Sequence, residues 1–354
     1  ALYSAIENYE EMAAIARVRL GQDPNDVRAP LWLAEALTRL NRRAEARQTL
    51  ETFFQRLEAL PGRHAEYVRA CAQMSALAAG DRAPKPTGPA EEGPASGTQA
   101  PQDQAAAPQP SPLDWLNKAV AYAPDSVEAL AYRARFHRMA ANAPDANDTV
   151  ERTSLTLARR DLEAADSLGT DDPRLRYSLG VEWMLLGELD RAGAELQAAD
   201  KLPKERLREQ LWDAGAWTVA RFGLAAELAM RKGQAGEAAA LTDATLASLN
   251  QDQERGYRGR VLPTAIRVYI TAARAADAKR CLDEYLSLVQ AQQVKALSAR
   301  EIAGLKAMVE AGENRPYGVI DLLEPTIGQD PNNPQAVLLL VQAYNQTGQA
   351  RRAV

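Results

Sequence analysis

Small residues recur at an interval of twelve along this chain, inside stretches whose apolar positions follow helical spacing. Ala34 is followed by Ala46, Gly180 by Ala192 and Ala226 by Ala238. Ile266 with Ala278 and Val341 with Ala353 keep the interval with a larger first member. Twelve residues is too long for one helical face and too short for a domain. It suits a helix, a tight turn and a second helix whose backbones touch at one point. A small residue on each helix permits that approach, and Leu, Trp and Tyr one turn away fill the flanks by ridge-into-groove packing. Gly187, Gly233 and Gly348 fall where a first helix ends in a left-handed residue. No such pair buries its whole apolar face alone, so the pattern predicts antiparallel pairs stacked into an all-α solenoid.

A longer period sits above this one. Leu20-Gly21-Gln22-Asp23-Pro24-Asn25 reappears as Ile327-Gly328-Gln329-Asp330-Pro331-Asn332, an offset of 307 residues. That is close to nine periods of about 34. Residues 173–203 carry Leu179-Gly180, Trp183, Gly187, Ala192, Leu196, Ala199 and Pro203. Weaker copies run over 27–61, 219–250, 259–290 and 334–354. The set resembles the tetratricopeptide repeat (TPR) family, whose motif places a bulky residue, a Leu-small pair and an aromatic on the first helix, and small-bulky-small on the second. The resemblance implies a right-handed superhelical α-solenoid. Two departures stand out: the early Trp of the motif is absent throughout, and Thr242 and Thr245 replace a bulky and a small residue.

Three stretches interrupt the period and divide the chain. N-terminal repeats cover 1–79. Residues 80–111, rich in Pro, Ala, Gly and Gln, cannot offset their ordering entropy and read as a disordered insert within a repeat, between helices at about 64–79 and 112–123. Central repeats follow over 112–202, with a turn lengthened at 142–152. A charged insertion spans 203–215, and C-terminal repeats fill 216–354, the last one truncated. The chain opens at Ala1 and stops inside a repeat, so it reads as an excised or processed piece with its flanks unknown. The open last repeat predicts self-association at that end.

Composition narrows the function classes. Aromatics make up only 6% of the 354 residues, which favours close-packed helices over sheet. The net charge of −5 argues against nucleic-acid binding. No apolar run is long enough to cross a bilayer, so no direct membrane insertion is expected. The two cysteines, Cys71 and Cys281, lie far apart on inward helical faces and read as buried, inert thiols. Of the two histidines, His64 opens a helix and reads as solvated. His137 takes the place of the first-helix aromatic and reads as an interior residue. No metal spacing, phosphate-cradling loop or nucleophile elbow is found, so neither catalysis nor a cofactor is expected. Arg255-Gly256-Tyr257-Arg258-Gly259-Arg260 is basic and aromatic, but reads as a solvated loop between repeats.

The TPR resemblance implies that first helices line a concave groove for a peptide or helix. The residues directed outward there are Arg28, Arg39, Arg69, Arg135, Arg138, Arg174, Arg231, Arg260 and Arg267, against Glu35, Glu66 and Glu227. Tyr177, Met184 and Met230 supply apolar contacts between the charges. Such a groove suits an acidic protein or peptide partner, because guanidinium forks bind carboxylates. The competing reading pairs these arginines with carboxylates of their own chain. The expected function is a non-catalytic interaction scaffold. Two alternatives are a periplasmic or membrane-tethered component of a bacterial export or polysaccharide-secretion assembly, and the recognition arm of an enzyme whose catalytic domain lies elsewhere.

Overall fold

The computed structural model describes residues 8–57, 62, 64–82, 110–202, 214–249, 255–327 and 333–352. Among them there is no strand. Sixteen α-helices and a short 3-10 turn at Ala350–Arg352 make up the regular structure. The chain divides into two compact units, Ala1–Thr170 and Asp171–Val354.

The first unit holds α1 (Tyr9–Gln22), α2 (Ala29–Arg39), α3 (Arg43–Leu57), α4 (His64–Arg82), α5 (Pro112–Tyr122), α6 (Val127–Ala141) and α7 (Asp148–Leu168). Helices α2 and α3, α4 and α5, and α6 and α7 form pairs, and the first helices α2, α4 and α6 also pack side by side. Leu37, Leu50, Phe53, Leu57 and Val68 fill the core between α2, α3 and α4. Residues 83–109 of the proposed insert lie outside the described residues. At its edges α4 runs on to Arg82, and Ser111 caps α5 in a capping box closed by Asp114.

The second unit holds the pairs α8 (Pro173–Leu185) with α9 (Leu189–Asp200), α10 (Ala214–Arg231) with α11 (Ala235–Ser248), α12 (Arg255–Thr271) with α13 (Ala275–Gln290), and α14 (Ala299–Gly312) with α15 (Pro316–Ile327). Helix α16 (Pro334–Gln346) follows. Each first helix contacts the next first helix as well as its own partner. Most of the charged insertion, 203–213, lies outside the described residues.

The twelve-residue interval is the point of closest approach. Ala46, Ala192, Ala226, Ala238, Ile266 and Ala278 have no exposed surface, and Ala34 keeps 1%. A Cβ placed on Gly180 would lie 3.0 Å from Leu224 Cδ2 of α10 and 3.3 Å from the Ala192 carbonyl of α9. Gly180 thus admits two helices at once. Ala353, the partner of Val341, lies outside the described residues. Gly187 and Gly233 adopt φ of +82° and +73° at the ends of α8 and α10. Asn41, Ala273 and Asn314 take the same left-handed turn elsewhere at φ of +59°, +56° and +58°. Thr242, fully buried on α11, satisfies its hydroxyl by donating to the Ala238 carbonyl at 2.8 Å. Back-bonding of this kind lets threonine stand where the motif wants an apolar side chain.

Two stretches differ from expectation. The lengthened turn ends at Asn147, whose side chain accepts from the amides of Thr149 and Val150, so 148–152 are the first residues of a 21-residue α7. A carboxamide here satisfies orphan amides and starts the helix early. Residues 255–260 likewise form the start of α12 rather than a loop, with Tyr257 half-buried and Gly259 packed against Val294.

The Asp23-Pro24-Asn25 turn works through the next residue. Asp26 accepts from the amides of Arg28 and Ala29 at 2.8 and 2.9 Å, and from Arg19 Nε at 2.8 Å. Burial alone would raise its pKa, but these amides and Arg19 outweigh that and hold it below 3.8. The second copy of the turn, 328–332, lies outside the described residues.

Two stability predictions follow from this packing. Gly180→Val should destabilise the second unit by about 1–3 kcal/mol in urea unfolding, because neither α9 nor α10 has room for the added carbons. Asp26→Ala should cost about 1–2 kcal/mol near neutral pH. A lowered carboxylate pKa gives stability that is complete above the unfolded value and lost as pH falls through the folded one. The gap between wild type and Asp26→Ala should therefore close below pH 3.8.

Candidate functional site

The first helices bring some of the candidate arginines to free surface and spend others on ion pairs. In the first unit Arg28 precedes α2 and Arg39 ends it. Both are exposed, with the Arg39 guanidinium 5.9 Å from the Tyr9 ring centre. Arg69 on α4 is half-buried and donates through Nε to both oxygens of Glu128 on α6, at 3.0 and 3.2 Å. Burial by itself would lower the Arg69 pKa, but the Glu128 charge and hydrogen bond raise it. Arg69 is therefore a strut between two first helices. The acid that claims it was not among those weighed against it in the sequence.

Glu128, Tyr132, Arg135 and Met139 stand at i, i+4, i+7 and i+11, one stripe of α6. Tyr132 donates its hydroxyl to Glu128 at 3.2 Å. Beyond that pair, Arg135 is exposed and Met139 is 56% exposed. Arg138 is half-buried one residue to the side.

In the second unit Arg174 grips Asp172, the N-cap of its own helix, at 3.0 and 3.4 Å. Tyr177 is half-buried with its ring in a T-shaped contact with Trp217, and burial raises its hydroxyl pKa. Met184 is only 7% exposed. It lies one turn beyond Gly180, on the face that α10 covers, so its side chain belongs to the core and not to a groove. What it offers is its carbonyl, which accepts from Arg231 Nη1 at 3.3 Å. Arg231 also pairs with Glu227 at 2.8 Å. Met230 is half-buried against the core. Arg260 and Arg267 are exposed on α12, in a stripe with Thr264 and Thr271, and Arg267 donates to Thr264 at 3.2 Å.

Three little-exposed arginines that are paired within the units were not among the candidates. Arg133 forks onto Asp161 with two bonds of 2.7 Å, joining α6 to α7. Arg176 reaches Glu195 at 3.1 Å, joining α8 to α9, and Arg258 forks onto Glu284, joining α12 to α13. A signal for two of them exists in the sequence. Arg133 directly precedes Ala134, where the motif has Leu, and Arg176 stands four before Gly180, where it has a bulky residue. A charge in an apolar motif position marks a buried pair.

Of the remaining titratable candidates, His137 and both cysteines are interior and His64 is not. His137 is 8% exposed, and burial lowers its pKa against the opposing charge of Asp161. His64 is exposed beside Tyr122. Burial pushes the Cys71 thiol up to about 12 and the Cys281 thiol up to about 11. Among the described residues no cluster of three or more His, Cys, Asp or Glu is placed to hold a metal ion. No described helix is long and apolar enough to cross a membrane.

No family model matches this chain, and no curated protein matches it. Solved structures do. The Cut9–Hcn1 hetero-tetramer of the APC/C is similar at 14% identity over 95% of this chain and 52% of that one, with a TM-score of 0.53. Yeast Tom70 is similar at 13% identity over 99% of this chain and 81% of that one, with a TM-score of 0.40. A structure of Naa15/Naa10 bound to HypK-THB gives 12% identity, 99% and 64% coverage, and a TM-score of 0.43. The chain spans about half the length of the Cut9–Hcn1 chain that it matches. Stacked helix pairs with no strand among the described residues, together with the Cut9–Hcn1 likeness, define an α-helical repeat fold. The fold is the all-α solenoid of tetratricopeptide repeats.

Burial of the two thiols carries its own prediction. With pKa values near 11 and 12, the thiolate fraction at pH 8 should fall below that of an ordinary cysteine by a factor of roughly 10² to 10³. The native chain should react with a disulfide reagent correspondingly slowly, and both thiols should titrate at once in denaturant. Rapid reaction of either in the native state contradicts the burial described.

Proposed function

We propose that this chain is a non-catalytic protein-interaction scaffold whose first-helix surfaces dock an acidic segment of a protein partner. The observation that carries this reading is a set of exposed first-helix cations without a carboxylate partner among the described residues. They are Arg28, Arg39 and Arg135 in the first unit, and Arg260 and Arg267 in the second. Arg69, Arg174 and Arg231 are engaged within the chain and act as supports. An exposed guanidinium keeps its fork available, and a carboxylate that meets it in a partly dry interface gains a charge-assisted pair. Met139 beside Arg135 adds the soft apolar contact that interfaces favour. The non-catalytic reading is supported by the state of the candidate nucleophiles: both cysteines are buried with raised pKa values.

The test is affinity capture from the native host with the wild type, with Arg135→Glu/Arg260→Glu/Arg267→Glu, and with Arg152→Glu on the second helix α7 as a control. A partner held by wild type and control should be retained at least about tenfold less by the triple variant, a loss of about 1.4 kcal/mol. Equal retention by all three moves the docking surface away from these arginines.

A further inference from the structure

Helix α12 carries arginines and no acid. Arg258 is spent on Glu284, while Arg260 and Arg267 stay exposed on the outward face. They stand about two turns apart, with Pro263 and Thr264 between them. Arg267 is already turned into that interval, where its Nη2 donates to the Thr264 hydroxyl at 3.2 Å. Its Nε and Nη1, the donors of Arg260 and the Thr264 hydroxyl hydrogen have no acceptor among the described residues.

The ground on either side is open. Helices α10 and α14 flank α12. Gly223 on α10 and Gly304 on α14 stand level with Pro263, each as far before the left-handed residue that follows its helix (Gly233, Asn314 and, for α12, Ala273). A Cβ on either glycine would have no neighbour within 4 Å. The acids level with the two arginines are engaged elsewhere. Glu227 of α10 accepts from Arg231 at 2.8 Å, and Glu301 of α14 accepts from the amide and hydroxyl of Ser298 at 2.9 and 2.7 Å.

Two guanidiniums and a hydroxyl offer more donors than the two oxygens of one carboxylate can take up. A phosphoryl group brings three oxygens and about −1.5 to −2 charges at neutral pH. Resting on the acidic-segment reading above, we infer that Arg260, Thr264 and Arg267 hold a phosphorylated serine or threonine side chain within that segment. Its oxygens accept from both forks and from the Thr264 hydroxyl. The segment's backbone passes over Gly223 or Gly304, where no side chain blocks it.

Fluorescence anisotropy on the whole chain tests this with labelled peptides that share one acidic sequence and carry phosphoserine, glutamate or serine at its centre. The phosphoserine peptide should bind at least about tenfold more tightly than the glutamate peptide, the serine peptide more weakly still. Arg260→Gln and Arg267→Gln should each remove that advantage. Gly304→Glu, at a position with room for the side chain, should remove it too by setting a carboxylate beside the site. Circular dichroism should show all three variants as helical as the wild type. Equal affinity for the phosphoserine and glutamate peptides, lost together in the arginine variants, overturns the phosphoryl assignment and leaves the acidic-segment reading standing. Binding of no peptide overturns both for the second unit. The assignment also falls if the phosphoserine advantage persists in every variant, or if a single-stranded oligonucleotide binds more tightly than the phosphopeptide.

Discussion

Everything in this molecule depends on how closely two helices of a pair approach at one point. Gly180 shows the constraint most sharply, since its α-carbon sits where both the Ala192 carbonyl and the Leu224 side chain would meet a Cβ. The approach sets the register of the pair, and the register decides which residues one turn away are enclosed. Trp183 is fully buried because Gly180 lets α9 and α10 close over α8. Packed interiors tolerate little change in volume, so the small residue is a requirement of the arrangement and not a preference.

Charge is distributed by the same geometry. Residues facing the seam within a pair lose water, and a guanidinium there survives only by forking onto a carboxylate of the partner helix, as Arg133 does with Asp161. Breaking such a pair leaves its other half buried and uncompensated. Arginines one face further round stay in water, where pairs gain little and the side chain remains available. The chain thus carries two populations of arginine that look alike in sequence. One population knits each unit together and the other faces outward, and an account of binding that counts both overstates the basic surface.

Much of the fold was legible before any coordinates. The interval between Ala34 and Ala46, or Ala226 and Ala238, is a local property that survives in a linear reading, because helix and turn lengths are set by a few neighbouring residues. Left-handed helix ends were legible where glycine or Asn41 marks them, and less so where Ala273 does the same task without announcing it. Boundaries were less secure: Asn147 starts α7 early, and the basic stretch at 255–260 is helical because Arg258 and Gly259 find partners distant in sequence.

The candidate site was legible only as a list. Sequence alone determined that arginines populate the first helices and that their turns face outward at regular spacing. Tertiary structure alone decided that Arg69 is tied to Glu128, that Met184 is covered by α10, and that Arg135, Arg260 and Arg267 keep their charge for solvent. The physical reason is range. Helical periodicity is written within a dozen residues, whereas an ion pair forms between groups such as Arg69 and Glu128, 59 positions apart, that meet only once the helices between them have packed.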